Sequence, residues 1–189
     1  MLRVRKNIVQ QYIEKYAEQE AKTVLTLLPH FDKTFSQCLV IPAYDEEIEF
    51  IERFIQHPDA PSSLLIVVVN QPPGVETPHN ISLYEYCTKY RESKNENVSL
   101  CRTHSTNIIL VNRFQKNFCI PEKQGVGLAR KIGCDIATSL YQNNVLTSSW
   151  IYCSDADAHI PRNYFDRNTQ VDNSHVGAFV FDFHHRGED

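Results

Sequence analysis

The sequence predicts an α/β fold built on a mainly parallel sheet covered by helices on both faces. Two observations carry that expectation. Short apolar runs of strand length recur at Cys38–Ile41, Leu64–Val69, Asn107–Val111, Trp150–Cys153 and Val176–Phe183. Between them lie longer mixed stretches with helical character at 46–57, 82–92 and 125–143. Strand and helix in alternation are the signature of βαβ units, whose crossover helices cover a parallel sheet.

The N-terminal segment, 1–35, comes before this pattern. Ile8, Tyr12, Ile13, Tyr16, Ala17, Val24, Leu25 and Leu28 recur close to a 3.6-residue period with Arg, Lys, Glu and Gln between them. That predicts an amphipathic helix or helix pair, ended by Pro29-His30-Phe31-Asp32. Its apolar side is expected to pack on the domain over 36–189; a membrane surface or a partner is the alternative. The first strand ends at Pro42, which has no N–H for a ladder. Asp45, Glu46 and Glu47 then fall at the start of the helix over 46–57, where acidic side chains complement the dipole. The second strand runs into a loop at Gln71–Thr77, marked by Pro72, Pro73 and Gly74, and the polar stretch Glu92–Asn97 predicts another loop. The helix over 125–143 opens on glycines and carries Leu128, Ala129, Ile132, Ile136, Ala137 and Leu140 on one side.

Composition narrows the function classes. Of the 189 residues, 42% are apolar and 22% charged with both signs interspersed, which excludes disordered, collagen-like and coiled-coil chains. A formal charge of −4 lacks the basic excess of a phosphate-tracking surface, so no nucleic-acid partner is expected. The longest apolar run, Leu64–Val69, is far shorter than the roughly 20 residues of a membrane span and below the about 7–15 of a signal peptide. The expectation is a cytoplasmic chain without a transmembrane segment, with peripheral contact at the inner face of the membrane still open to it. Six cysteines occur singly, with no CxxC pair, and are read as reduced core residues rather than a disulfide framework or a zinc site.

In parallel sheets ligands sit beyond the carboxyl ends of the strands, so the residues that follow each run are the candidate site. After the first strand come Pro42, Ala43, Tyr44, Asp45, Glu46 and Glu47; one carboxylate facing the crevice could accept hydrogen bonds from a base or ribose, while helix capping is the alternative. After the fourth strand come Asp155, Ala156, Asp157 and His159. In an extended chain Asp155 and Asp157 project together, and such carboxylate pairs beside phosphates hold Mg²⁺ or Mn²⁺. An acidic turn capping a helix at Pro161 is the other reading. Gly125 and Gly127, with Lys123, Arg130 and Lys131, open the third long helix and suit a diphosphate. This is neither the dinucleotide fingerprint nor a P-loop, since Arg130 stands where the third glycine is required.

Taken in order, VIPAYDEE at Val40–Glu47, GVGLARKIGCDIA at Gly125–Ala137 and WIYCSDADAHIP at Trp150–Pro161 resemble the family 2 glycosyltransferases of the GT-A fold, over about residues 36–183. The resemblance implies a three-layer α/β/α sandwich that transfers a sugar from a nucleoside diphosphate donor to a carbohydrate or lipid-linked acceptor, with inversion, using Mn²⁺ or Mg²⁺. It implies that Pro42, Ala43, Tyr44 and Glu46 line the nucleoside pocket and that Arg130 and the Gly125–Gly127 turn lie near the diphosphate. Asp155 would face the ribose or the metal shell, Ala156 beside it would belong to the nucleotide-sugar site, and Asp157 would bind the cation.

Two departures stand out. The family's second strand ends in acidic residues, whereas here Val69 runs into Asn70, which can hydrogen-bond a base but brings no charge. The family's general base is an acidic pair well downstream of the DxD motif; here Glu188-Asp189 spells such a pair, only 32 residues beyond Asp157. The resemblance therefore implies that the acceptor part is missing. His184 and His185 are expected at the sheet edge. Competing readings are a non-catalytic nucleotide- or sugar-binding remnant, a DxD phosphatase with Asp155 as nucleophile, and a nucleotidyltransferase.

Overall fold

Leu64 to Val69 can be apolar at every position because helices cover both faces of the strand they form. The computed structural model describes residues 2–166 and 177–182. The chain starts with α1 (Leu2–Lys15), α2 (Glu20–Thr23) and a 3-10 segment at Val24–His30. It continues through β1 (Gln37–Ala43), α3 (Glu49–Ile55), β2 (Ser63–Asn70) and α4 (Pro78–Thr88). Then come β3 (Arg91–Asn95), β4 (Val98–Arg102), β5 (Asn107–Arg113), α5 (Gly125–Gln142) and β6 (Ile151–Cys153).

The six strands stand in the order β3-β4-β5-β2-β1-β6. β5, β2, β1 and β6 are parallel, and β3 and β4 form an antiparallel hairpin on the β5 edge. Alternate residues divide between two cores. Leu39, Ile41, Leu65, Val67, Val69, Ile108 and Leu110 meet α3 and α4 through Phe50, Ile51, Phe54, Leu83 and Tyr84. Val40, Leu64, Ile66, Val68, Ile109 and Val111 meet α5 through Ala129, Ile132, Ile136 and Leu140. The sheet is thus covered on both faces, as the strand–helix alternation predicts.

From β1 the chain passes to β2, crosses to the β3 edge and returns through β4 to β5, and α5 then carries it back to set β6 on the far side of β1. The order reverses between β1 and β6. In open α/β sheets that reversal leaves a crevice beyond the strand ends, where ligands bind. α5 comes unusually close to the sheet there: a Cβ on Gly133 would lie 2.3 Å from Val40 Cγ1.

The N-terminal segment packs on this domain in part: Ile13 is buried, whereas Ile8 and Tyr16 of the expected apolar side are exposed. Ala21, Val24 and Leu27 are buried, and Val24 and Leu27 share a core with α5. Asp135 on α5, 1% exposed, accepts hydrogen bonds from Tyr12 Oη at 2.7 Å, the Glu18 N–H at 2.9 Å and Lys131 Nζ at 2.6 Å. Among the described residues no helix is long and apolar enough to cross a membrane.

Four local expectations are corrected. β1 does not stop at Pro42 but runs to Ala43. The Ser154 N–H, donating to the Val40 carbonyl, makes the last contact with the β6 side, so the N–H that Pro42 lacks would have pointed past the end of β6. The helix after β1 begins at Glu49 with Ile48 as its cap residue, so Asp45, Glu46 and Glu47 lie in the loop and do not cap it. Glu92–Asn97 is not a loop: β3 covers most of it, a polar edge strand whose turn holds Glu96 at φ 48°. Residues 177–182 of the expected fifth strand form no strand; Phe179 instead packs on Trp150 with ring centroids 4.7 Å apart, and Phe181 on Tyr164 at 4.8 Å.

Candidate functional site

Three segments distant in sequence converge beyond the ends of β1 and β6. Asp45 turns the chain after β1 with a left-handed φ of 58°. An L-residue holds that conformation only when its surroundings enforce it. The enforcing group is Asn80 on α4, fully buried, whose Oδ1 accepts the Asp45 N–H at 3.0 Å while its Nδ2 donates to the Asn70 carbonyl at 3.0 Å and to Gln71 Oε1 at 3.2 Å. Gln71 in turn donates to the carbonyls of Val75 and Phe114, both at 2.8 Å, and accepts from Thr77 Oγ1. This buried polar network ties together the loops that follow β1, β2 and β5. Neither Asn80 nor Gln71 stands out in the sequence, because a lone amide on a helix or in a loop carries no spacing signal.

Asn70 belongs to the same network. It is 3% exposed and its amide donates to the Ala43 carbonyl at 2.9 Å and the Val68 carbonyl at 3.3 Å, so its donors join β1 to β2. Pro42 and Ala43 are buried in β1, whereas Tyr44 is 46% exposed at its end. His79 stands over the same loop, Nδ1 lying 3.2 Å from Asp45 Oδ1 and Nε2 4.0 Å from Glu47 Oε1.

On the other side of the crevice the chain leaves β6 in a turn rather than as the extended segment expected, closed by the Ala158 N–H donating to the Asp155 carbonyl at 3.2 Å. Ala156 is 3% exposed within the core, and its carbonyl accepts from Arg53 Nη2 of α3 at 3.1 Å. Ala156 thus anchors the turn, and Asp155 and Asp157 stand exposed on either side of it. Arg130 of α5 pairs with Asp155, Nη2 to Oδ1 at 2.5 Å. Among the described residues Asp157 makes no ion pair.

The electrostatics bring the segments together. The Glu46 carboxyl is pushed above the ordinary carboxylate range by its partial burial, then by the charges of Asp157, Asp155 and Asp45. The carboxylates after β1 and β6 therefore share one field, with Arg130 set against it. Of the residues the motifs single out, Arg130 and Asp155 are in contact, and Glu46 lies within electrostatic reach of Asp155 and Asp157. Lys131 does not join them: it is held by Asp135, by Glu18 Oε1 at 3.1 Å and by the Tyr16 carbonyl at 2.8 Å, so it secures the N-terminal segment instead of facing an anion.

Gly125 and Gly127 open α5; Gly125 has φ 37°, in the left-handed region that favours glycine, and Val126 and Gly127 are exposed. On the α3 side of the turn a cleft of about 250 Å³ is lined in part by Ile41, Phe50, Arg53, His159 and Arg162. Glu188 and Asp189, with His184 and His185, lie outside the described residues. Among the described residues no group of three or more His, Cys, Asp or Glu side chains is arranged to hold a metal ion. No family model matches the sequence, and neither the curated proteins nor the solved structures contain a match to it.

Proposed function

We propose that this chain is a glycosyltransferase of the GT-A type, moving a sugar from a nucleoside diphosphate donor to an acceptor hydroxyl with inversion and with Mn²⁺ or Mg²⁺. The observation that carries the proposal is the meeting of Glu46, Arg130, Asp155 and Asp157 where the strand order reverses. A carboxylate cluster beside an arginine suits a ligand that is itself a cation–diphosphate pair.

Asp155 and Asp157 are the carboxylates this reading assigns to the cation. Asp155 and Asp157 supply exposed oxygens, and the Glu46 carboxyl, raised chiefly by burial, is raised further by the charges of Asp157, Asp155 and Asp45. Hard divalent ions are commonly held by one or two carboxylates together with phosphate oxygens. That arrangement suits a site without three protein ligands. When bound, the cation neutralises charge growing on the departing diphosphate. The residues do the rest. Arg130, 38% exposed, exchanges the Asp155 carboxylate for phosphate oxygens, which its planar fork can grip in pairs. The exposed first turn of α5 adds backbone N–H groups to the same anion. Tyr44 offers a ring at the end of β1 for a nucleobase to stack on. A nucleoside diphosphate fixed at these points holds the anomeric carbon in line for the acceptor.

A nucleotide-binding protein without transfer activity is the second reading. It is favoured by Asn70, whose amide donors are used within the protein and which brings no charge to base recognition.

The test is calorimetric titration of UDP, GDP and CDP, with and without Mn²⁺, into the wild type and into Asp157→Ala. Metal-dependent binding of one nucleotide, weakened at least about tenfold in the variant, is expected, since charge-assisted contacts are worth roughly 1.5–3 kcal/mol. Failure of all three nucleotides to bind would overturn both readings. Binding with neither hydrolysis nor transfer of any nucleotide sugar would select the second.

A further inference from the structure

Two thiols face each other directly behind the Arg130–Asp155 pair. Cys134 Sγ on α5 lies 3.5 Å from Cys153 Sγ at the last position of β6. A helix packed on a sheet ordinarily stands too far off for such an approach. Gly133 removes the obstacle: with no side chain, it lets α5 come down on Val40 of β1, and Val40 is the register partner of Cys153. The residue after Gly133 is thereby carried over the residue beside Val40. Cys153 is exposed and Cys134 half-buried, so a reagent reaches the pair from solvent.

From this geometry we propose that Cys134 and Cys153 form a reversible disulfide by exchange with a low-molecular-weight disulfide such as oxidised glutathione. The Cys153 sulfur attacks one sulfur of the reagent, its proton passes to water, and one reduced thiol leaves. The Cys134 sulfur then attacks Cys153 Sγ in the mixed disulfide and the second thiol leaves. Two protein thiols are oxidised to one S–S bond and one reagent disulfide is reduced to two thiols, so electrons and protons balance. The sulfurs must close from 3.5 Å to the bond length of about 2 Å, a shift within reach of side-chain rotation and a small settling of the helix. The bridge ties α5 to β6 one helical turn from Arg130 and two residues before Asp155. This inference stands apart from the proposed function, since it needs neither nucleotide nor metal.

The other thiols are poorly placed to compete. Burial pushes Cys38 and Cys101 up to about 12, Cys87 is fully buried, and Cys119 donates to the Phe114 carbonyl at 3.0 Å.

The test equilibrates the whole reduced chain with oxidised glutathione, quenches with an alkylating agent and reads the products by intact and peptide mass. The expected product has lost two hydrogens, carries a crosslinked peptide joining Cys134 to Cys153, and has released two glutathiones per protein. Cys134→Ser, a near-isosteric change, should release one and retain a stable glutathione adduct on Cys153. A persistent adduct on the wild type, a bridge to Cys38 or Cys119, or no reaction at Cys153 would each overturn the proposal. Reversal by dithiothreitol is expected; a product that resists it would overturn reversibility.

Discussion

Arg130, on the second turn of α5, reaches Asp155, two residues past the end of β6, and joins the two segments with a single charged contact. The pair is exposed, 38% at the arginine and 63% at the aspartate, so its weight in stability is small. Arg130→Ala is expected to change stability by less than about 1 kcal/mol, read by urea denaturation. The same variant should weaken binding of the preferred nucleoside diphosphate by roughly 10–100-fold, read by calorimetry, because a charge-assisted contact to phosphate is lost. Unchanged affinity would remove Arg130 from the site.

Glu46 sets a pH dependence whose sign follows from its surroundings. Its carboxyl is held above the ordinary value in the folded protein, chiefly by burial and then by Asp157, Asp155 and Asp45. Between the unfolded value and this raised one, the folded state holds more protons than the unfolded state, so stability falls as pH rises through that window. Above it the penalty persists. Glu46→Gln should therefore match the wild type in acid and exceed it at neutral pH. A variant less stable than the wild type at pH 7 would contradict the field described for the crevice.

Gly133 is expected to resist replacement. Alanine raises helix propensity by about 1 kcal/mol over glycine, but its Cβ would meet Val40 Cγ1 at 2.3 Å, and a valine methyl in a packed core cannot swing aside. Overpacking costs about 1–3 kcal/mol, so Gly133→Ala should lose roughly 1 kcal/mol net. Adding Val40→Ala, which opens space at the contact, should make the pair of changes less harmful than the sum of the two singles. Additive urea midpoints would sink this account.

Asp135 is the anchor of the N-terminal segment. Asp135→Ala removes the acceptor for Tyr12, the Glu18 N–H and Lys131 at once. Breaking a fully buried ion pair costs roughly 3–5 kcal/mol, and since Lys131 is 37% exposed and keeps Glu18, about 2 kcal/mol is expected here. Hydrogen exchange should rise first at residues 12–23. Uniform loss across the sheet, with no excess there, would argue against a local anchor.

Much of the fold was legible because it rests on continuous patterns. β1, β2 and β5 are apolar at nearly every position, the mark of strands covered on both faces, and the apolar side of α5 is the one that meets Val40, Ile66 and Ile109. β3 was not legible, since an exposed edge strand with the sequence Arg91-Glu92-Ser93-Lys94-Asn95 needs no apolar alternation. The expected strand at 176–183 failed for the converse reason. Phe179 and Phe181 are apolar because they stack on Trp150 and Tyr164, not because they join a ladder. At the candidate site, the acidic and glycine-bearing motifs marked Glu46, Asp155, Asp157 and Gly125, while Asn80 and Arg53 gave no sign of their parts, nor did Asp135 of its part in anchoring the N-terminal segment.

Local periodicity and residue chemistry alone determined that this chain makes a mainly parallel sheet with helices between its strands, and that two acidic motifs stand after strand ends. Only the tertiary structure decided which of those ends meet. The return of α5 set β6 beside β1, brought Asp155 to Arg130, and drew Cys134 down to Cys153 through the gap at Gly133. The physical reason is that strand order and the depth of a helix on a sheet are set by contacts between residues far apart in the chain, which no period of two or 3.6 residues encodes.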